Sequence, residues 1–273
     1  MSFRPLRVAS LMLVAALAFS MPPAPAQSTS NGADQGPAAG SQFYEIRTYD
    51  LGPKGDAAEV DQYLKQALVP ALNRHGIDAV GVFAPNESDD TGADVIVVVI
   101  PYESLDQIAS IRDALSADAQ YTAAAKDYLD RTPKNAPYRR IRSEVLSSMA
   151  CWPRWKVDAE TLQNDDRVYE LRLYESANER LGDLKVEMFN NGEVPIFLDS
   201  GVIPVFIGQC VVGPQMPNLT YLTVYPNEQA RQAAWKAFRV HPDWKVLSKN
   251  PRSAGTVSHI DKFVLSPKPY SQM

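Results

Sequence analysis

Tyr44-Glu45-Ile46-Arg47-Thr48-Tyr49 is written again as Tyr169-Glu170-Leu171-Arg172-Leu173-Tyr174, an offset of 125 residues (169 against 44). Working outward, Val69-Pro70 matches Val194-Pro195 and Gly76 matches Gly201 at that same offset. Further along the offset becomes 123 (225 against 102), where Tyr102 matches Tyr225 and Tyr121 matches Trp244. One shared hexapeptide could be chance. Several matches at a near-constant offset are the signature of an internal duplication.

Each copy resolves into the same order of elements. Phe43–Tyr49 and Val168–Tyr174 alternate in character, with aromatic and branched residues, as half-buried strands do. A helical period follows, on Val60, Leu64, Leu68 and Ala71 in the first copy and on Leu181, Leu184 and Met188 in the second. Pro70 and Pro195 should bend or restart these helices, and Gly76 and Gly201 stand where a left-handed residue ends them. Second strands are expected at Ile77–Phe83 and Val202–Val212, and third strands at Val95–Ile100 and Leu219–Tyr225. Ser104-Leu105-Asp106-Gln107 has capping-box spacing and opens a second helix; Asn227 is the corresponding cap, before Ala230, Ala234 and Phe238. Arg139–Leu146 and Val257–Leu265 close the copies as fourth strands. The order β-α-β-β-α-β is the ferredoxin-like unit, so the fold class is α+β with two such units in tandem.

These landmarks carry a resemblance. The Tyr-Glu-x-Arg-x-Tyr opening, the helix ending in Val-Pro with Gly beyond it, and His241-Pro242-Asp243-Trp244 after the second helix resemble the NIPSNAP family. The likeness covers Phe43–Leu146 and Val168–Leu265 and is more distinct in the second copy, because Asp118-Ala119-Gln120-Tyr121 replaces His-Pro-Asp-Trp in the first. It implies membership of the dimeric α/β-barrel superfamily, in which two sheets cover each other and enclose a cavity. Here one chain holds both units, so the expected arrangement is a pseudo-dimer within a single chain. The resemblance implies no defined reaction.

Composition bounds the remaining possibilities. The chain has 273 residues, 45% hydrophobic and 22% charged, a globular balance. A formal charge of −5 argues against a nucleic-acid partner. Arg4 and Arg7, the apolar run from Val8 to Phe19 and Ala24-Pro25-Ala26 read as a secretory signal peptide over 1–26. A flexible leader over 27–42 would follow, then a first domain over 43–148, a linker over 149–166 and a second domain over 167–273. This predicts an exported protein, periplasmic or extracellular, with no membrane anchor after processing, as a monomer or homodimer. Export would expose Cys151 and Cys210 to an oxidising compartment, where they either pair as a disulfide or remain two buried thiols.

Chemical signals are few. There is no Gly-x-Ser-x-Gly elbow, His-Glu-x-x-His helix, phosphate loop, Cys-x-x-Cys pair or dinucleotide fingerprint, so neither a metal nor a cofactor is expected. Alternation puts Glu45, Arg47 and Tyr49 on one strand face, repeated by Glu170, Arg172 and Tyr174. Facing a cavity between sheets, such charges must pair. They are therefore either structural ion pairs or ligand contacts. His241, His259 and Arg172 are the candidates for catalysis, His259 because Asp261 two residues on shares its face. His241 is expected chiefly to start a turn that Trp244 closes. The function read from these residues is small-molecule binding between the sheets. Two alternatives stay open: a cofactor-free oxygenase or isomerase, and a non-catalytic envelope protein with a protein partner.

Overall fold

The computed structural model describes residues 40–273; the signal-peptide reading at 1–26 and the leader reading at 27–39 lie outside the described residues. Eight antiparallel strands close into one barrel: β1 (Phe43–Asp50), β2 (Gly81–Pro85), β3 (Val95–Tyr102), β4 (Arg140–Ser148), β5 (Val168–Glu175), β6 (Ile203–Val212), β7 (Asn218–Tyr225) and β8 (His259–Pro267). Around the barrel the order is β1-β3-β2-β8-β5-β7-β6-β4. Each four-strand copy supplies one contiguous half, and the halves meet at β2–β8 and β4–β6.

Closure explains why neither copy stands with a bare sheet edge. Phe83, Ala84 and Pro85 pair with Pro267, Ser266 and Leu265 at one seam. Beyond the strands, Lys268 donates to the Val82 carbonyl at 2.8 Å and Gln272 to that of Val80 at 3.0 Å, which lengthens this seam. Val145 to Ser148 pair with Val212 to Gly208 at the other, across a bulge between Val145 and Leu146. Antiparallel edges that would otherwise recruit another chain are thereby used up internally.

Helices cover the outside. In the first copy a continuous helical run over 57–74 begins at Asp56, whose carboxylate accepts from the Glu59 amide at 3.0 Å. It widens to a π-turn at Leu64–Leu68, where the Val69 amide donates to the Leu64 carbonyl, five residues back. The following α-turn has proline near its start. The cause is Pro70, which has no N–H and would clash with the carbonyl four residues back. Pro195 repeats this, with a π-turn at Phe189–Glu193. Gly76 and Gly201 then adopt φ of 75° and 82°, as their helix-ending positions require.

Ser104 and Asn227 cap the later helices as their spacing predicts, accepting from the Gln107 amide at 3.2 Å and the Ala230 amide at 2.9 Å. Asp118 and His241 are also equivalent caps: Asp118 accepts from the amides of Gln120 and Tyr121, and His241 Nδ1 from that of Asp243. The first copy has thus kept the geometry of His-Pro-Asp-Trp with different residues. Trp244 packs against Phe238 with ring centres 4.4 Å apart, and it is only partly buried.

One strand reading needs correction. Ile77–Phe83 is not a strand throughout; β2 starts at Gly81, and Ala79 before it takes a left-handed φ of 59°. The apolar run there reflects burial of a connection and not ladder pairing.

The core lies in three layers. Phe43 and Tyr49 face the first copy's helices beside Val60, Leu64 and Leu68, whereas Tyr44 and Ile46 point into the barrel with Tyr169 and Leu171. A third cluster lies under the second copy's helices around Phe189, Phe197, Tyr221 and Trp235. Among the described residues no helix is long and apolar enough to cross a membrane.

The two helix layers differ in one respect. Lys185 and Glu193 form an ion pair at 2.8 Å with side chains 4% and 1% exposed, whereas Val60 and Leu68 occupy the matching places at the 125-residue offset. Removing one partner of a buried pair strands a charge, which costs roughly 3–5 kcal/mol, while replacing both by apolar residues costs far less. Glu193→Leu should therefore destabilise by about that much in urea titrations. Lys185→Val combined with Glu193→Leu should recover most of the loss.

Candidate functional site

The barrel is filled at one end and open at the other. At the filled end Tyr44 stacks on Phe206 with centroids 4.7 Å apart, and Phe83 lies 4.8 Å from Tyr169. Met273 is fully buried among them, and Trp155 and Val157 of the connection between the copies pack against this cluster. The Trp155 amide is fixed to Gln42 Oε1 at 3.0 Å, and Lys156 donates to the Val205 carbonyl at 2.9 Å. The connection therefore seals this end of the barrel.

Toward the other end the interior opens into a cavity of about 320 Å³. Ile46, Leu171, Leu173 and Phe263 form apolar wall, while Thr48, Arg142, Glu144, Thr220, Asp261 and Gln215 contribute polar groups. Apolar wall with convergent polar side chains is the form of a small-ligand site; this one is more polar than most and at the small end of the size range.

Strand register explains how these side chains meet. On β1 and β4, Ile46 is opposite Glu144 and Thr48 is opposite Arg142. On β5 and β8, Leu171 is opposite Phe263 and Leu173 is opposite Asp261. Glu144 and Phe263 thus hold matching positions in the two copies, as do Arg142 and Asp261. Duplication built a symmetric frame, and divergence left an acid on one wall facing an aromatic on the other.

Glu144 is the distinctive group. Its carboxylate receives Asn218 Nδ2 at 3.3 Å and Thr220 Oγ1 at 3.4 Å, both long contacts. Gly213 lets the β6–β7 connection close over it, since a Cβ there would stand 2.7 Å from Glu144 Cβ. Burial outweighs the two donors and raises the carboxyl to about 7. A side chain that titrates near neutrality beside apolar wall can accept a ligand hydroxyl or move a proton.

The residues expected to line the cavity are elsewhere. Glu45, Arg47 and Tyr49 do share a face, as do Glu170, Arg172 and Tyr174, but these faces turn outward beneath the helices. The physical reason is that the helices and neighbouring strands bring partners. Glu45 holds Arg47 at 3.0 Å and accepts from Tyr102 at 3.2 Å and Ser143 at 2.7 Å. Fully buried Glu170 accepts from Arg172, Arg231 and Trp235, and Arg172 lies over the Trp235 ring at 3.8 Å. Arg172 also donates to the Tyr174 hydroxyl at 3.2 Å. Both are ion pairs away from the cavity; that of Glu170 holds a helix to the sheet through Arg231 and Trp235, and that of Glu45 ties neighbouring strands.

Of the catalytic candidates, Arg172 is thus in the helix–sheet layer and His241 caps an outer helix. His259 is at the open end of the barrel, its Nε2 3.0 Å from Asp261 Oδ1. Cys151 and Cys210 are both free thiols and do not pair. Cys151 packs with the outer cluster of the second copy and Cys210 faces the barrel interior, so the sheet separates them. Burial pushes each thiol up to about 12.

A family model described as NIPSNAP matches residues 44–150 and again 169–272. No curated protein matches the chain. Among solved structures the chain is similar to a candidate monooxygenase from Fusobacterium nucleatum subsp. nucleatum, with a TM-score of 0.55 at 10% identity over 83% of this chain and 92% of that one. A candidate monooxygenase from Lactobacillus acidophilus NCFM gives 0.52 at 11% identity over 83% and 94%. A NIPSNAP-like domain protein from Burkholderia xenovorans gives 0.35 at 15% identity, over 39% of this chain and 90% of its own. At these identities the first two similarities concern the fold.

The raised Glu144 pKa has a stability consequence of definite sign. Below about pH 4.5 the carboxyl is protonated whether the chain is folded or not, and its burial costs little. Between about pH 4.5 and 7 the unfolded chain releases this proton while the folded chain keeps it, so stability falls across that window, by on the order of 3 kcal/mol once pH has passed about 7. Glu144→Gln should therefore raise the melting temperature at pH 8 and change it little at pH 4, as read by calorimetry.

Proposed function

The chain belongs to the NIPSNAP family, and from that premise we propose that its barrel binds a small, largely apolar molecule carrying a hydroxyl or enol. The observation that supports this most is Glu144, buried at the cavity wall with only two long hydrogen bonds and facing Leu171 and Phe263 across about 320 Å³. A ligand hydroxyl would supply the short donor that Asn218 and Thr220 do not. Arg142 at the cavity would favour a ligand with an additional anionic group. The ligand reading is joined to export, on the strength of the basic start, apolar run and Ala24-Pro25-Ala26.

A second reading has one observation in its favour. A carboxyl poised near 7 at a cavity wall suits a general base that removes a proton from a bound enol or phenol. That is the first step of a cofactor-free oxygenation or isomerisation, and the two barrel neighbours carry a monooxygenase name.

2-Naphthol, an apolar bicycle with one hydroxyl, serves as the probe. Calorimetry should show it binding to the full chain, more tightly at pH 8 than at pH 6, because the ionised carboxylate is the better acceptor. Glu144→Gln should weaken binding at pH 8 about tenfold or more, the worth of a hydrogen bond to a charged group. Affinity that ignores both pH and Glu144→Gln would count against the site. Oxygen uptake on mixing would move the assignment to the second reading.

A further inference from the structure

We propose that Glu175, His259 and Asp261 form a binding site for a divalent transition-metal cation at the mouth of the barrel. Two neighbouring strands bring the three together. Glu175 on β5 pairs in register with His259 on β8, and Asp261 lies two residues further along the same face. One ligating atom from each lies within 4.8 Å of the others. Small rotations of these accessible side chains bring such atoms to the roughly 2.0–2.2 Å bonds of a coordination sphere.

Charge points the same way. The two carboxylates converge on one neutral donor, with Gln215 Nε2 2.8 Å from Glu175 Oε1 and 2.8 Å from Asp261 Oδ2. Among the described residues neither carboxylate has a lysine or arginine partner; Asp261 pairs only with His259. The first copy shows what the same frame does with a permanent cation. There Asp50 takes the place of Glu175 by register, Arg140 that of His259 and Arg142 that of Asp261. Asp50 is neutralised by Arg139. Where the first copy carries arginines, the second carries an imidazole and another carboxylate. That exchange turns a rim with an excess of permanent cations into one with two carboxylates and no lysine or arginine paired to them.

The donor set selects the metal class. One imidazole and two carboxylates suit Zn²⁺, Mn²⁺ or Co²⁺ better than Ca²⁺ or Mg²⁺, which take all-oxygen spheres, or thiolate-seeking Cu⁺. Gln215 can turn its amide oxygen inward as a fourth ligand. Asp261 and Gln215 also line the cavity, so the coordination positions left open would face it. The site goes beyond the ligand reading and does not rest on it, since a metal titration needs no organic molecule.

The experiment is a titration of the tag-free full chain with Zn²⁺ by calorimetry, and with Mn²⁺ by nuclear magnetic resonance of its three histidines. One equivalent of Zn²⁺ should bind with micromolar affinity. Asp261→Asn and His259→Ala should each weaken it about tenfold or more, while Arg140→Ala leaves it unchanged. Mn²⁺ should broaden the His259 imidazole signals before those of His75 and His241, a readout on the unaltered protein that holds even if a variant unfolds. No saturable binding below millimolar Zn²⁺, binding that survives both substitutions, or equal broadening of all three histidines would overturn the proposal.

Discussion

Strand pairing across the two seams is the constraint on which the structure depends. A four-stranded antiparallel sheet with helices on one face leaves an apolar face and two edges unsatisfied. Here β2–β8 and β4–β6 pairing satisfies the edges, and the two bare faces become the barrel interior. Everything functional follows from that closure. The connection between the copies seals one end because it must run past the barrel from β4 to β5, and Trp155 and Val157 enter the interior cluster on the way. Among the described residues no connection between the copies crosses the opposite end, and the cavity is there.

Duplication makes the frame symmetric but does not oblige its walls to match. Strand register puts Glu144 opposite Ile46 where Phe263 is opposite Leu171, and Arg142 opposite Thr48 where Asp261 is opposite Leu173. A homodimeric barrel would have to carry each residue twice, so an acid on one wall would be an acid on both. A single chain escapes that requirement. The same freedom is visible outside the barrel, where Lys185 and Glu193 replace Val60 and Leu68 beneath the helices.

Much of the frame was legible in the residues. The repeated hexapeptide, Val-Pro before Gly, and the caps Ser104 and Asn227 are local signals, each fixed by backbone chemistry, and they placed strands and helices within a few residues. Which strand face turns inward was not legible. A period of two separates Tyr44 and Ile46 from Glu45 and Arg47 but does not say which set meets helices. The charged set is outermost because Ser143, Tyr102, Arg231 and Trp235, all distant in sequence, arrive to satisfy it. Glu144 is not legible for a related reason: its burial depends on Gly213 and Asn218, which the other copy brings across the β4–β6 seam. The polar alternation Arg140, Arg142, Glu144 within a strand was the available sign. His259 with Asp261 was readable as a pair, since i and i+2 on a strand share a face, whereas Glu175 joins them only through pairing of β5 with β8.

Amide hydrogen exchange on the dilute full chain tests the closure most directly. The Lys268 amide, bonded to Val82 across the β2–β8 seam, and the Asn86 amide, bonded to Val264, are the reporters. A barrel closed within one chain predicts that both exchange only through global unfolding, as slowly as the central amides of β1 and β5. Rapid exchange at both reporters while β1 and β5 stay protected would show two units that part at the seam, and the account of a cavity inside one closed barrel would fail.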